Sequence, residues 1–292
     1  MIISNVIGGL GNQMFQYAIG RALSLRRHTQ LKLDISGFSQ DPQRKYDLHL
    51  YNIQAEIATL QEVEKLKGKL NQGLGEKIVK IFSAKSPAIS ASYLKEKDMG
   101  FHPEILEAPD NVYLEGYWQS EKYFSDIAAT IRKDFSMKTA PNIDNQKVLD
   151  QIHATTAISL HVRRGDYVSN TTANAFHGTT TLDYYKMAID KLNNLIPGGT
   201  IFVFSDDQTW VKENLKFTLP TIFVDCNDTD HAQDDLRLMA SCQHHILANS
   251  TFSWWGAWLA EHPKQIVIAP KQWFKNPNIS SKDLIPSRWM QI

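Results

Sequence analysis

Residues 155–168 read TTAISLHVRRGDYV, and the stretch changes character halfway along. Ala157–Val162 is a mainly apolar and β-branched run that predicts a buried strand. Arg163, Arg164 and Asp166 then follow around Gly165. Open parallel sheets bind ligands at the carboxyl ends of their strands, and a guanidinium group matches phosphate oxygens two at a time. The stretch therefore favours an anion site at a strand end. The alternative is a solvated turn with a local ion pair.

A histidine strengthens the first interpretation. His161 precedes Arg163 by two residues, so the period of a strand places both side chains on the same face. A single histidine within a strand is more often a core residue. The convergence of a histidine and an arginine at one strand end is less common, and it indicates a site.

Beyond residue 140 the sequence alternates between strand and helix patterns. The helix pattern covers residues 145–153, 182–196, 208–215 and 234–242, and a further helix carries Trp254, Trp255 and Trp258. The strand pattern covers residues 157–162, 201–204, 221–224, 245–248 and 265–268. Strands separated by helices predict an α/β domain with a parallel sheet and helices on both faces.

Three of these strands end in polar residues, and parallel strands bring such ends to one edge of the sheet. One end holds His161 and Arg163, and the next holds Asp206 and Asp207. The third end is a turn with the residues Asn249, Ser250, Thr251, Phe252 and Ser253. Hydroxyl groups at a helix N-terminus can bind an anion, and aspartates can accept from guanine N1 and N2. Helix capping is the alternative, but three coinciding ends favour a nucleotide diphosphate.

The N-terminal part begins with a strand over residues 2–7, the loop GGLGN and a helix over residues 13–27. This order opens many nucleotide-binding units, although the loop lacks the GxGxxG spacing and a tight turn explains it equally well. A dense patch with Tyr117, Trp118, Tyr123 and Phe124 suits either a carbohydrate site or core packing. Residues 139–142 read as a linker. We therefore expect an N-terminal α/β domain over residues 1–140 and a C-terminal domain over residues 141–292.

The composition excludes several classes of protein. Lys and Arg number 31, as do Asp and Glu, so no bulk charge attracts nucleic acid. Cys226 and Cys242 are too few for a disulfide framework or a zinc site. The N-terminus lacks a basic segment before its apolar run, and no apolar stretch approaches the roughly 20 residues that span a bilayer. We therefore expect a cytoplasmic protein.

Four segments occur in the order of a known family. They are GGLGNQMFQYA at residues 8–18, HVRRGDY at residues 161–167, FSDD at residues 204–207 followed by Trp210, and ANSTFSWWGAWL at residues 248–259. In these segments the chain resembles the α-1,2-fucosyltransferases of glycosyltransferase family 11, bacterial type. The resemblance implies a GT-B-type glycosyltransferase with two Rossmann-like domains. The donor site would lie in the C-terminal domain, and the N-terminal domain would form the acceptor side of the cleft.

The resemblance also implies a reaction. It is the inverting transfer of L-fucose from GDP-β-L-fucose to the 2-hydroxyl of a terminal galactoside, in surface glycan or O-antigen biosynthesis. No cofactor and no metal would be required. Asp228 and Asp230 form an Asp-x-Asp triplet, but it lies in a polar loop rather than at a strand end. The animal relatives have a Golgi membrane anchor that this sequence lacks, so we expect a bacterial cytosolic enzyme. A lipid-linked acceptor would hold it weakly at the inner face of the membrane.

On the donor side, transfer passes through an oxocarbenium-like state while negative charge builds on GDP. Arg163 is the candidate for taking up that charge, and His161 would position the donor by a hydrogen bond. Asp206 and Asp207 would select guanine. The turn at residues 249–253 would add donors to the diphosphate.

On the acceptor side, Asn12, Gln13 and Trp118 would line the cleft. Asp166 is the candidate base for the acceptor hydroxyl, and its competing role is an ion pair with a neighbouring arginine. Two other functions stay open. One is fucosyl transfer to another acceptor, protein O-fucosylation included. The other is a non-catalytic protein that binds nucleotide sugars or glycans.

Overall fold

The computed structural model describes residues 1–68, 92–165, 178–276 and 278–292. The chain forms two compact units, Met1–Lys138 and Thr139–Ile292. The sequence predicts this division two residues further along, between residues 140 and 141. The described strands of each unit pair in parallel within one sheet. The predicted α/β class with parallel sheets is therefore confirmed.

The first unit is built on a five-stranded sheet with the order β3-β2-β1-β5-β4. Its strands are β1 (Ile2–Asn5), β2 (Leu31–Asp34), β3 (Glu56–Ile57), β4 (Tyr93–Lys95) and β5 (Val112–Glu115). Its described helices are α1 (Leu10–Arg26), α2 (Leu60–Gly68) and α3 (Ala128–Asp134). The helix α1 begins three residues before the predicted start, so Leu10, Gly11 and Asn12 of the segment GGLGN are helical. The start of α1 therefore lies at the carboxyl end of the central strand β1.

The second unit is built on a six-stranded sheet with the order β11-β10-β9-β6-β7-β8. Its strands are β6 (Ala157–Val162), β7 (Thr200–Ser205), β8 (Thr221–Phe223), β9 (His244–Ile246), β10 (Val267–Ala269) and β11 (Met290–Gln291). Its described helices are α4 (Ile143–His153), α5 (Leu182–Leu195), α6 (Gln208–Asn214), α7 (Ala232–Ser241) and α8 (Thr251–Leu259). The predicted alternation of strands and helices is confirmed, with small shifts at the element ends.

The central strand β6 separates two apolar clusters. Ile158, Leu160 and Val162 belong to the cluster that α5 covers. Ala157 belongs to the cluster on the opposite face, which includes residues of α4 and α7. Side chains alternate along a strand, so His161 shares the face of Ala157. Apolar packing on both faces of the sheet therefore fixes the face on which each side chain of β6 lies.

One predicted helix is broken. The sequence indicates a helix over residues 121–135, but the structure has two 3-10 turns, Glu121–Tyr123 and Ser125–Ile127, before α3. Phe124 leaves the helical region, with φ −142° and ψ 12°. Its side chain is fully buried, as is that of Tyr123, and its ring lies 6.2 Å from that of Phe15. Core packing of two adjacent aromatic residues therefore overrides the helical pattern.

Within the ranges that the structure describes, no helix combines the length and the apolar character needed to cross a bilayer.

Candidate active site

The three polar strand ends of the second unit lie side by side. Strand β6 stands between β9 and β7, and all three run in the same direction. Arg163 therefore follows the middle strand, Asp206 follows one neighbour, and Asn249 lies after the other. The carboxyl edge of this sheet is the candidate active site.

Arg163 and Asp206 form an ion pair at this edge. The Nη1 atom of Arg163 lies 2.9 Å from Oδ2 of Asp206. The other oxygen of Asp206 accepts a hydrogen bond from the backbone N–H of Arg164, at 2.9 Å. A Cβ atom on Gly165 would lie 2.6 Å from Oδ2 of Asp206. The carboxylate thus fits into the turn at residues 163–165, and glycine is required there to admit it.

The second arginine has partners of its own. The Nε atom of Arg164 lies 3.3 Å from Oδ2 of Asp207, and the guanidinium carbon lies 3.8 Å from the ring centre of Trp210. This is a cation–π contact in addition to the ion pair. Oδ1 of Asp207 accepts from the backbone N–H of Trp210 and so caps α6. Asp207 therefore caps a helix and anchors Arg164. Helix capping is the alternative to ligand binding that the sequence left open for this residue.

His161 is almost completely buried beside the arginine turn. Its ring lies 5.6 Å from that of Phe252, and its Nδ1 atom has no hydrogen-bond partner among the described residues. Burial, with a smaller contribution from the charge of Arg163, lowers the pKa of His161 to about 3. The imidazole is therefore neutral near pH 7, and it can offer a hydrogen bond but not a positive charge.

The turn before α8 is held by its own side chains. Ser250 caps the helix, because its Oγ accepts from the backbone N–H of Phe252. Ser253 donates to the carbonyl groups of Ala248 and Ser250. Asn249 donates to the carbonyl of Trp273 and accepts from Thr180. The side chains of Asn249 and Ser253 are buried and make these internal bonds, and their predicted role toward a ligand stays a prediction. Thr251 and Phe252 are partly exposed.

Two residues predicted for the acceptor side of the cleft are buried in the first unit, and that role stays a prediction. Gln13 is fully buried, and its amide bonds the backbone of Gly8, Lys45 and Asp47. Trp118 is only 1% exposed. Neither residue lines an open surface, because each is part of the packed framework behind the loops. Asn12 accepts from the side chain of Gln119, at 3.0 Å. Asp166, the candidate base, lies outside the described residues.

Sequence reasoning gave no role to two residues that the structure makes prominent. Trp210 supports the guanidinium of Arg164, and an aromatic residue shortly after an acidic strand end is the signal for it. Asp235, in the first turn of α7, accepts from Asn227 at 2.8 Å. Burial, followed by the charge of Asp234, raises the pKa of Asp235 to about 6 against the donation from Asn227. Nothing in the sequence pattern distinguishes it from its neighbour Asp234.

The comparison with known families agrees with these motifs. The profile of glycosyl transferase family 11 matches residues 89–292. The chain belongs to this family. Along its full length the family 11 chain is 34% identical to the α-1,2-colitosyltransferase of Escherichia coli, of which the match covers 99%. It is 32% identical to the O-antigen biosynthesis glycosyltransferase WbnK of Escherichia coli, over 98% of both chains. The protein is therefore a glycosyltransferase.

More distant similarities extend the same picture. The galactoside 2-α-L-fucosyltransferase of Caenorhabditis elegans is 27% identical over 60% of this family 11 chain and 51% of that protein. The crystal structure of NodZ α-1,6-fucosyltransferase from Bradyrhizobium superposes with a TM-score of 0.50 at 15% identity. The superposition covers 91% of this chain and 94% of NodZ. At this level of identity the likeness concerns the fold.

Proposed function

We propose that this family 11 chain transfers L-fucose from GDP-β-L-fucose to the 2-hydroxyl of a terminal galactoside, with inversion at the anomeric carbon. The observation that carries the proposal is the turn at residues 163–165, where two arginines follow a buried strand with a neutral histidine, His161, next to its last residue. The similarity to the O-antigen biosynthesis glycosyltransferase WbnK supports O-antigen biosynthesis as the setting. The similarity to a galactoside 2-α-L-fucosyltransferase supports galactosides as acceptors. On this proposal the second unit binds the donor and the first unit binds the acceptor, in a GT-B-type arrangement.

Arg163 is the residue that we assign to the diphosphate. Its guanidinium is partly exposed, at 29%, and it is already oriented by Asp206. Departure of GDP places negative charge on the β-phosphate, and a preoriented donor at such a position stabilises the transition state by roughly 3 to 4 kcal/mol. The forked guanidinium can hold two phosphate oxygens while Asp206 keeps its plane in place.

His161 and the start of α8 complete the proposed donor site. The neutral imidazole adds no charge to the site, so its contribution is a hydrogen bond that orients the donor. The free N–H groups at the start of a helix favour negative charge. In this scheme Ser250, Ser253 and Asn249 act by fixing the helix start.

The acceptor hydroxyl must lose a proton as the new bond forms. Asp166 stays the candidate for this role because it follows the arginine turn in the sequence. A highly dissociative transfer needs only a weak base, and the departing phosphate can serve.

Colitosyl transfer is the second candidate, because the colitosyltransferase is 34% identical over the full chain. Colitose is fucose without its 3-hydroxyl group. A site that hydrogen-bonds this hydroxyl would reject the sugar that lacks it, because a buried polar group would be left unpaired. The ratio of kcat/KM for the two donors therefore decides between the candidates.

The experiment is an incubation with GDP-fucose or GDP-colitose and a panel of β-galactosides, followed by linkage analysis of the product. An α-1,2-linked fucoside supports the proposal. A preference for GDP-colitose would show that the transferred sugar is colitose rather than fucose. A product at another hydroxyl, or on a protein, would move the chain to another acceptor. Binding of GDP without transfer or hydrolysis would indicate a non-catalytic binding protein.

A further inference from the structure

The loop that follows β5 exposes one aromatic ring on an otherwise buried segment. Tyr117 is 39% exposed, whereas Trp118 is 1%, Gln119 7% and Ser120 1% exposed. Among the phenylalanine, tyrosine and tryptophan side chains that the structure describes, that of Tyr117 is the most exposed. The loop lies at the carboxyl end of β5, which pairs with the central strand β1. The ring is thus on the edge of the sheet where α/β proteins bind ligands.

A partly buried carboxylate fixes the backbone of this loop at Tyr117 and at the residue after it. Oε2 of Glu96 accepts from the N–H of Tyr117 at 2.6 Å, and Oε1 accepts from the N–H of Trp118 at 2.8 Å. Glu96 directly follows the edge strand β4, and burial raises the pKa of its carboxyl group. A Cβ atom on Gly116 would overlap the side chain of Glu96, with Oε2 only 2.9 Å away. The carboxylate and the glycine are therefore fitted to each other.

Trp118 holds the next position in an unfavourable backbone conformation. Its φ is +56°, in the left-handed region, which is strained for a bulky residue. The indole packs edge-on against Tyr123 with ring centres 5.8 Å apart. Its Nε1 atom is buried and has no hydrogen-bond partner within the described residues. The packing of the indole therefore compensates for the strained backbone and for the unpaired Nε1 donor. The buried indole and the backbone conformation of Trp118 together direct the side chain of Tyr117 outward.

We propose that the ring of Tyr117 is the stacking surface for the acceptor sugar, an inference that rests on the proposed transferase function. A rigid frame that buries Trp118 and exposes Tyr117 presents one aromatic face at low conformational cost. Galactopyranose offers a complementary surface. Its axial 4-hydroxyl leaves the hydrogens on C3, C4 and C5 together on one apolar face. Glucopyranose, with an equatorial 4-hydroxyl, lacks this continuous face, so the ring selects galactosides.

The test measures acceptor binding apart from catalysis. Saturation-transfer NMR with methyl β-D-galactopyranoside, in the presence of GDP, is recorded on the full chain and on Tyr117→Phe, Tyr117→Leu and Tyr117→Ala. The acceptor KM and the GDP affinity are measured on the same samples. Leu25→Ala is the matched control, since Leu25 is 36% exposed on the same unit. Methyl β-D-glucopyranoside is the control ligand.

We expect Tyr117→Phe and Leu25→Ala to behave as the wild type. Tyr117→Leu and Tyr117→Ala should weaken galactoside binding and raise the acceptor KM roughly three- to tenfold, with unchanged GDP affinity. An unchanged acceptor KM in Tyr117→Leu, or equal saturation transfer to galactoside and glucoside in the wild type, would overturn the inference. Failure of the wild type to transfer any sugar, while the ring still binds galactoside, would overturn the proposed function and leave the stacking surface standing.

Discussion

Nη1 of Arg163 lies 2.9 Å from Oδ2 of Asp206, and the same carboxylate holds the backbone N–H of Arg164. The residue assigned to the diphosphate therefore has a negatively charged partner before any ligand arrives. An incoming phosphate must share the guanidinium with that partner or displace it. The affinity of the phosphate for Arg163 is therefore set by how much more strongly the guanidinium binds the phosphate than it binds Asp206.

Arg163→Lys should lower kcat roughly 100-fold or more, although the positive charge is kept. A lysine is a point charge that cannot hold Asp206 and two phosphate oxygens in one plane. Arg164→Lys should cost less than tenfold, because that residue binds Asp207 and Trp210. Donor kinetics of both variants, with thermal unfolding as the folding control, make the comparison. A larger loss in Arg164→Lys between two equally stable proteins would exchange the two assignments.

Asp206→Asn should bind GDP about threefold more tightly and turn over more slowly. Asparagine can still accept from the N–H of Arg164, but it no longer competes electrostatically for Arg163. We expect a loss of about 1 kcal/mol in the free energy of unfolding. Calorimetric titration with GDP and with UDP separates this role from guanine selection. If Asp206 reads guanine, the variant weakens GDP alone and leaves the affinity for UDP unchanged.

Asp235→Asn should stabilise the protein at pH 7 and have little effect near pH 4. The pKa of Asp235 is raised from 3.8 to about 6 in the folded state, chiefly by burial. The folded state therefore prefers the protonated acid, and stability falls as the pH rises from about 4 to about 6, by on the order of 2 kcal/mol.

Urea unfolding of wild type and Asp235→Asn between pH 4 and pH 7.5 gives the difference directly. The difference is needed because His161, whose pKa is lowered, makes the opposite contribution and destabilises the fold as the pH falls below 6.5. Asp144→Asn is the control, as the Asp144 side chain is 67% exposed. A pH-independent difference would place the Asp235 carboxyl in a wetter environment than the structure gives it.

Gly116→Ala should lower the free energy of unfolding by about 1–3 kcal/mol, because the added methyl group overlaps Glu96. The double variant Gly116→Ala/Glu96→Gly should lose less than the sum of the two single changes, since it removes the whole side chain that the added methyl group overlaps. Gly9→Ala is a suitable control, because its nearest neighbour would be 3.6 Å away. Additive losses in the urea unfolding of these variants would show that the two positions do not meet.

Transfer activity should survive EDTA. The Asp-x-Asp triplet has other tasks in the structure. Oδ1 of Asp228 accepts from the N–H of Asp230 and lies 2.7 Å from Nδ1 of His231, so Asp228 caps a short turn. Activity is measured after EDTA treatment and again after addition of Mn²⁺. Loss on chelation with recovery on Mn²⁺ would require a metal site.

The sequence predicts best those parts of the fold in which one physical effect, such as burial on both faces, determines the local pattern of residues. Ala157–Val162 matches β6 at both ends, because burial on two faces makes the run apolar throughout. Strands β3, β4 and β11 have two or three residues each and lie at sheet edges, so they are too short for a detectable period. These strands form because they pair with a neighbouring strand, and the local sequence pattern does not indicate that pairing.

The site shows the same division. The shared edge of the polar strand ends follows from parallel topology, which the alternation of elements predicts. The roles of single polar residues do not follow, because a buried amide and an exposed one look alike in a sequence. Gln13 serves three backbone groups. Trp118 is buried while its neighbour Tyr117 is exposed, and this difference depends on Glu96, about twenty residues earlier, and on the packing of the indole against Tyr123.

Gly165 has a consequence for how such a chain can diverge over time. Its missing side chain makes room for the carboxylate of Asp206, a residue from a different strand end. A larger residue at 165 forces the carboxylate of Asp206 to move, and this movement disturbs its ion pair with Arg163. The two positions are therefore linked in heredity. A change at residue 165 is therefore less costly in a descendant whose residue 206 has already changed.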